Sequence, residues 1–186
     1  MTVVKICGLT REQDVDQAVA AGADLVGFVC VADSPRGVTL ARAAELARRA
    51  PAGVRTVAVF AGPEPDGPTD AFDLVQVYGP SGRTTGVILG FRGAPPDELP
   101  AGVPVLLDLE RESRPQPGRL ADHWARAARV REPVLLAGSL DPGNVGDAVA
   151  AARPWGVDTA RGVEASPGIK DHALVSQFVR NAKEAA

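Results

Sequence analysis

Eight short apolar runs, helix-patterned stretches between several of them, and two small-residue turns near the C-terminus predict an α/β fold. The expected architecture is eight parallel strands closed into one (β/α)8, or TIM, barrel domain over residues 1–186. The runs are Val3–Cys7, Leu25–Val31, Thr56–Phe60, Leu74–Val77, Gly86–Leu89, Pro104–Leu107, Val134–Ala137 and Gly156–Asp158. They are nearly continuous in apolar residues rather than alternating, which is the pattern of parallel strands covered on both faces.

The helices follow in order. Arg11–Ala21 carries Val15, Ala18 and Val19 at helical spacing, with Thr10 as the expected N-cap. Leu40–Arg49 follows Thr39 in the same way, and Leu120–Val130, Val145–Arg153 and Asp171–Lys183 complete the set. The middle of the chain has no room for more. Residues 61–70 and the connector between Phe91 and Val103 are rich in Pro and Gly, and only six residues separate Gly79 from Gly86. Helices around strands three to five are therefore expected to be shortened or replaced by loops. A barrel with all its helices typically needs about 250 residues, so their loss is how 186 residues suffice.

Composition narrows the function. Apolar residues make up 45% and charged residues 23% of the chain, and the net charge is −3. Mild acidity argues against a nucleic-acid partner, because a phosphate backbone needs a basic surface. No apolar run reaches membrane-spanning length, and no basic-then-apolar leader opens the sequence, so no membrane association and a cytoplasmic location are expected. Two cysteines inside apolar segments, Cys7 and Cys30, suit free thiols in a reducing compartment.

Candidate chemistry collects at strand ends, because the C-terminal ends of barrel strands point into the active-site mouth. Cys7 ends the first strand before Gly8; it is either a thiolate nucleophile or base, or a buried structural cysteine. Cys30 fits the structural role better. Asp108 ends the sixth strand and Asp158 the eighth, and each carboxylate needs solvent, a ligand or a hydrogen-bond partner. Asp24 and Asp73 precede strands and belong to the opposite face. Arg36, after the second strand, is either a bidentate carboxylate grip or a solvated surface arginine. Two turns, Ala137-Gly138-Ser139-Leu140 and Thr159-Ala160-Arg161-Gly162-Val163-Glu164, have the form of a phosphate cradle after strands seven and eight. His123 and His172 sit on helices without a third ligand nearby, so no metal site is expected.

These residues resemble the phosphoribosylanthranilate isomerase family of tryptophan biosynthesis. Lys5-Ile6-Cys7-Gly8-Leu9-Thr10 is similar to its opening motif, and Gly27-Phe28 with Ser34-Pro35-Arg36 to its second block. Val75-Gln76-Val77-Tyr78-Gly79 and Leu106-Leu107-Asp108 are similar to its fourth- and sixth-strand motifs. The run Leu135 to Val145 and the run Gly156 to Asp171 are similar to its C-terminal blocks. The resemblance implies a cofactor-free Amadori rearrangement of a phosphorylated aminosugar. It implies Cys7 as base, Asp108 as acid, Arg36 on the anthranilate carboxylate, and Asp158 near the sugar. It places the phosphate at Gly138, Ser139, Ala160, Arg161 and Gly162. A monomer or homodimer is expected.

The chain also departs from the family pattern. Ser139 stands where a second glycine is usual, Ala160-Arg161 where two serines are usual, and Tyr78 where a histidine is usual. Arg114-Pro115-Gln116-Pro117-Gly118 replaces a glycine-rich loop after the sixth strand. Besides the isomerase, two readings stay open at this point. One is a paralogue acting on a different amine. The other is a non-catalytic sugar-phosphate-binding relic on a decayed barrel.

Overall fold

The structure, a computed structural model, describes residues 1–62, 68–79, 81–109 and 117–186. Eight parallel strands form one closed barrel in sequence order: β1 (Val3–Ile6), β2 (Leu25–Val29), β3 (Arg55–Phe60), β4 (Leu74–Val77), β5 (Val87–Arg92), β6 (Val105–Asp108), β7 (Val134–Leu136) and β8 (Gly156–Thr159). The seam pairs β1 with β8, from Val3 opposite Gly156 to Ile6 opposite Thr159.

Alternate residues of a strand face opposite sides of the sheet. Val4, Ile6, Val26, Phe28, Leu107 and Leu136 belong to the outer core beneath the helices, whereas Cys7, Leu25, Val57, Ile88, Leu106 and Leu135 form a separate cluster that fills the barrel. Burial on both faces is why the strands read as unbroken apolar runs.

Five α-helices occur among the described residues: α1 (Glu12–Ala20), α2 (Leu40–Ala47), α3 (Pro117–Ala127), α4 (Val145–Ala152) and α5 (His172–Glu184). None is long and apolar enough to cross a membrane. Thr39 caps α2 by accepting from the Arg42 N–H, and Asp171 caps α5 by accepting from Ala173 and Leu174. Thr10 does not cap α1: Arg11 holds that position, and the Thr10 hydroxyl donates to the Gly168 carbonyl at 2.6 Å. A long-range partner wins that hydroxyl from the helix start beside it.

No helix is found among the described residues between β3 and β4, β4 and β5, or β5 and β6. Half-buried Phe72, Phe91 and Leu99 pack against the outer core in its stead. Residues 63–67, 80 and 110–116 lie outside the described residues, and with them part of the Pro- and Gly-rich stretch 61–70 and of the run Arg114 to Gly118.

The chain inserts a short turn and hairpin between β8 and α5 that the apolar pattern does not foretell. A 3-10 turn, Arg161–Val163, leads into β9 (Glu164–Ser166), which pairs antiparallel with β10 (Ile169–Lys170). Buried Asp14 anchors this hairpin to α1, accepting from Arg11, the Lys170 N–H and His172. At the N-terminal end of the barrel, Asp24 accepts the Val4 N–H at 2.8 Å and Asp73 the Thr56 N–H at 2.7 Å. Those two aspartates are ties of the stability face.

Candidate active site

Strand phase decides which side chains enter the barrel mouth. Leu106, Leu74 and Leu25 face the interior, and a step of two residues from each carries the same orientation to Asp108, Gln76 and Gly27. Lys5 and Cys7 share this phase on β1, as do Asp158 and Ala160 at the end of β8. A cavity of about 510 Å³ opens at this C-terminal end, and its walls include Cys7, Arg36, Tyr78, Asp108, Asp158 and Arg161.

Cys7 is 6% exposed and stands above a buried ion pair. Lys5 Nζ, on a fully buried side chain, donates to Asp158 Oδ1 at 2.9 Å. Burial alone would lower the Lys5 pKa, but Asp158 and Cys7 hold it above its ordinary value. Burial pushes the Cys7 thiol up, and Asp158 adds to that, while Lys5 and Lys170 pull it down. Cys30 lies just past β2, half-buried, with burial pushing it up to about 11, in keeping with a structural thiol.

Across the mouth, burial and then Asp158 raise the Asp108 carboxyl above its ordinary range, against Arg92, the Leu109 N–H and Arg161. The Tyr78 hydroxyl donates to Asp108 Oδ2 at 3.4 Å, and the Arg92 guanidinium lies 4.4 Å from the centre of the Tyr78 ring. Burial pushes the Tyr78 phenol up, so it stays protonated. Gln76, 1% exposed, also lines the cavity, and its Oε1 has no hydrogen-bond partner among the described residues.

Arg36 is not a loose surface side chain. Its Nε and Nη2 donate to Glu164 Oε1 at 2.8 Å and Oε2 at 2.5 Å. Lys170 Nζ joins the cluster, donating to Glu164 Oε1 at 2.8 Å and to the Ala160 carbonyl at 3.0 Å. Burial would raise the Glu164 carboxyl, but Arg36 and Lys170 hold it below its ordinary value. Burial lowers the Lys170 pKa against the pull of Glu164. Gly8 makes room for the arginine: at φ +71° it adopts a left-handed conformation, and a Cβ there would lie 2.8 Å from Arg36 Cδ.

The turns after β7 and β8 are stapled together. Thr159 Oγ1 donates to the Leu140 carbonyl at 2.7 Å, and a Cβ on Gly162 would stand 2.0 Å from that same oxygen. Only glycine allows this approach. Asn144 holds the first turn by donating to the Ser139 carbonyl at 2.9 Å. Among the described residues, the N–H groups of Ser139 and Ala160 donate to no other part of the chain. Ala160 and Arg161 line the cavity; Gly138, Ser139 and Gly162 form the turns at its edge. Ser139 adopts a left-handed backbone at φ 55°, a conformation that glycine reaches without a Cβ penalty.

Three charged residues of this site carry no role in the sequence reading: Lys5, Glu164 and Lys170. Lys5 had a visible signal, a cation inside an apolar strand run. The other two lie on the hairpin. No group of three or more His, Cys, Asp or Glu side chains able to hold a metal ion occurs among the described residues.

A closed (β/α)8 barrel with ionisable groups at its C-terminal mouth, and turns with free N–H groups after strands seven and eight, is the frame of a phosphate-handling barrel enzyme. Comparison with known proteins narrows the class. The model of the N-(5′-phosphoribosyl)anthranilate isomerase family matches residues 106–181. The N-(5′-phosphoribosyl)anthranilate isomerase of Bordetella pertussis is 41% identical over an alignment 207 positions long, spanning 96% of this chain and 94% of that protein. The phosphoribosylanthranilate isomerase crystal structure from Thermotoga maritima superposes with a TM-score of 0.82 at 30% identity, over 99% of this chain and 100% of the other. Another crystal structure of such an isomerase, in complex with reduced 1-(o-carboxyphenylamino)-1-deoxyribulose 5-phosphate, gives 0.79 at 30% identity over 99% and 100%. The chain belongs to the phosphoribosylanthranilate isomerase family.

Proposed function

We propose that this protein converts N-(5′-phosphoribosyl)anthranilate into 1-(2-carboxyphenylamino)-1-deoxyribulose 5-phosphate, an aldose–ketose isomerisation of tryptophan biosynthesis, with Asp108 as acid and Cys7 as base. The observation that carries the reading is that both groups line one cavity of about 510 Å³ together with Arg36, Asp158 and Arg161. A relic would have no need to keep all five in one mouth.

The chemistry asks for two opposed ionisation states. The Asp108 carboxylic acid gives its proton to the furanose ring oxygen, the C1′–O bond breaks, and a protonated Schiff base forms at the aniline nitrogen. The Cys7 thiolate then removes the proton from C2′, and the electron pair shifts to make an enolamine. That species gains a proton at C1′ and loses one from its C2′ hydroxyl, leaving the ketone. C1′ is reduced and C2′ oxidised, so no outside electron carrier is needed. The proton on Cys7 returns to Asp108 through solvent before the next turnover. Burial and Asp158 favour the neutral Asp108 acid, and Lys5 and Lys170 oppose the burial that disfavours the Cys7 thiolate.

Substrate placement follows the charges. The Arg36 guanidinium, held on one edge by Glu164, meets the anthranilate carboxylate. Asp158 accepts from a sugar hydroxyl. The phosphate sits at the Gly138-Ser139 and Ala160-Arg161-Gly162 turns, on the free N–H groups of Ser139 and Ala160, with the Arg161 cation adding to their field.

Purified protein mixed with the substrate is expected to bleach its fluorescence as product forms, and Cys7→Ala to stop that loss. A folded wild-type chain that leaves the fluorescence unchanged refutes the reading.

A further inference from the structure

We propose that Lys5 is a positioning residue for Cys7, its buried ammonium holding the sulfur in the thiolate form that takes the C2′ proton. The inference rests on the assignment of Cys7 as base, and adds a residue to it.

The geometry comes from three neighbouring strands. Lys5 on β1 and Cys7 just past its end lie two residues apart, so both side chains point into the barrel. Gly27 on β2 leaves the space they share: a Cβ there would lie 3.0 Å from Cys7 Sγ, 3.1 Å from Lys5 Cε and 3.2 Å from Lys5 Nζ. Asp158 on β8 takes one Lys5 proton at 2.9 Å, and the Lys5 side chain is fully buried. An ammonium has three donors and no acceptor. The Asp158 bond uses one of them, and the single Cβ position at Gly27 that touches both Nζ and Sγ places the ammonium beside the thiol.

Stability alone does not account for the lysine. A buried ion pair is often no more stabilising than an apolar pair of the same volume, and the barrel interior around it is apolar. What an apolar residue could not supply is a cation beside the sulfur. The charged and titratable groups facing Cys7 are Lys5 on β1, Asp158 on β8, Lys170 on β10 and Tyr78 just past β4. Arg36 adds a cation over Gly8, already engaged by Glu164. Among these, Lys5 is the largest influence that favours the thiolate, and Asp158 works against it.

That opposition gives the test two arms of opposite sign. The rate of Cys7 alkylation by iodoacetamide is followed against pH by mass spectrometry, on the full chain carrying Cys30→Ser. Lys5→Met is expected to slow alkylation at pH 7 about tenfold or more, as the inflection moves up by about one pH unit or more. The corresponding limb of the kcat/KM profile is expected to move the same way. Asp158→Asn is expected to speed alkylation at pH 7, because it frees the ammonium for the sulfur. A purely structural lysine would move neither inflection. An unchanged inflection in folded Lys5→Met overturns the proposal. If Lys5→Met fails to fold, Asp158→Asn decides, and an unchanged or slower rate there overturns it. Alkylation needs no substrate, so loss of this coupling is distinguishable from failure of the base assignment, which would appear as turnover by Cys7→Ala.

Discussion

Replacing Glu164 with glutamine removes a charge and almost no volume from the point where Arg36 and Lys170 meet. The side chains are 5% exposed for Glu164, 16% for Arg36 and 0% for Lys170, so water cannot take over the lost partner at the lysine. Breaking a buried pair by removing one member costs about 3–5 kcal/mol. The glutamine oxygen keeps one acceptor, which puts Glu164→Gln near the lower end, about 3 kcal/mol. For a chain of this size that is a fall in Tm of roughly 6–12 °C. The pH dependence fixes the cause. The folded Glu164 carboxyl lies below its ordinary 4.5 because of Arg36 and Lys170. Its stabilisation is therefore complete above the unfolded value and is lost as pH falls through the folded one. Urea unfolding of both proteins at pH 7, and again in steps below pH 4.5, is expected to show a gap that closes with acidity. A gap under about 0.5 kcal/mol at pH 7, or one that stays constant into acid, would refute the ion-pair account of this cluster.

Further outcomes follow from single distances and conformations. Asp108→Asn keeps the fold and lowers kcat by about 10²–10⁴-fold in the fluorescence assay, the usual scale for a general acid; a smaller loss means another group protonates the ring oxygen. Tyr78→Phe removes one long hydrogen bond to Asp108 and lowers kcat by about fivefold, since such a bond is worth about 1 kcal/mol. Gly162→Ala drives a Cβ into the Leu140 carbonyl and costs about 3 kcal/mol in urea unfolding, with KM rising as the phosphate turn shifts. Ser139→Gly relieves the left-handed backbone at φ 55° and stabilises by about 0.5 kcal/mol, the strain relief less the entropy of a freer chain; a net loss would show that the hydroxyl has a partner in the folded protein.

The barrel was legible because each strand carries its own signature. The eight apolar runs fall on the eight strands, since burial on both faces leaves no alternation to misread. The lack of helices among the described residues between β3 and β6 was legible from Pro and Gly, which remove N–H donors and free the backbone. The meeting of Arg36 with Glu164 was not. Those residues are 128 positions apart, and β9 and β10 are three and two residues long, too short for any periodicity. Thr10 shows the same limit on a smaller scale. Local spacing made it a helix cap, but its partner, Gly168, is 158 positions away. Lys5 was visible as a cation in an apolar run, yet its meaning depended on Asp158 across the barrel seam.

That seam also bears on how the protein is made. Lys5 and Asp158 are separated by 153 positions and belong to the first and last strands of the barrel. On the ribosome the lysine emerges long before its carboxylate. A nascent chain with fewer than eight strands has an ammonium on the inner face of β1 and nothing to neutralise it, so closing early would bury an unpaired charge. Partial barrels of this kind are the aggregation-prone species of large folds. The cost of burying Lys5 alone disfavours closing the sheet before β8 is present. The pair thus favours the completed barrel over a partial one, a bias that a simple apolar contact at the same place would not supply.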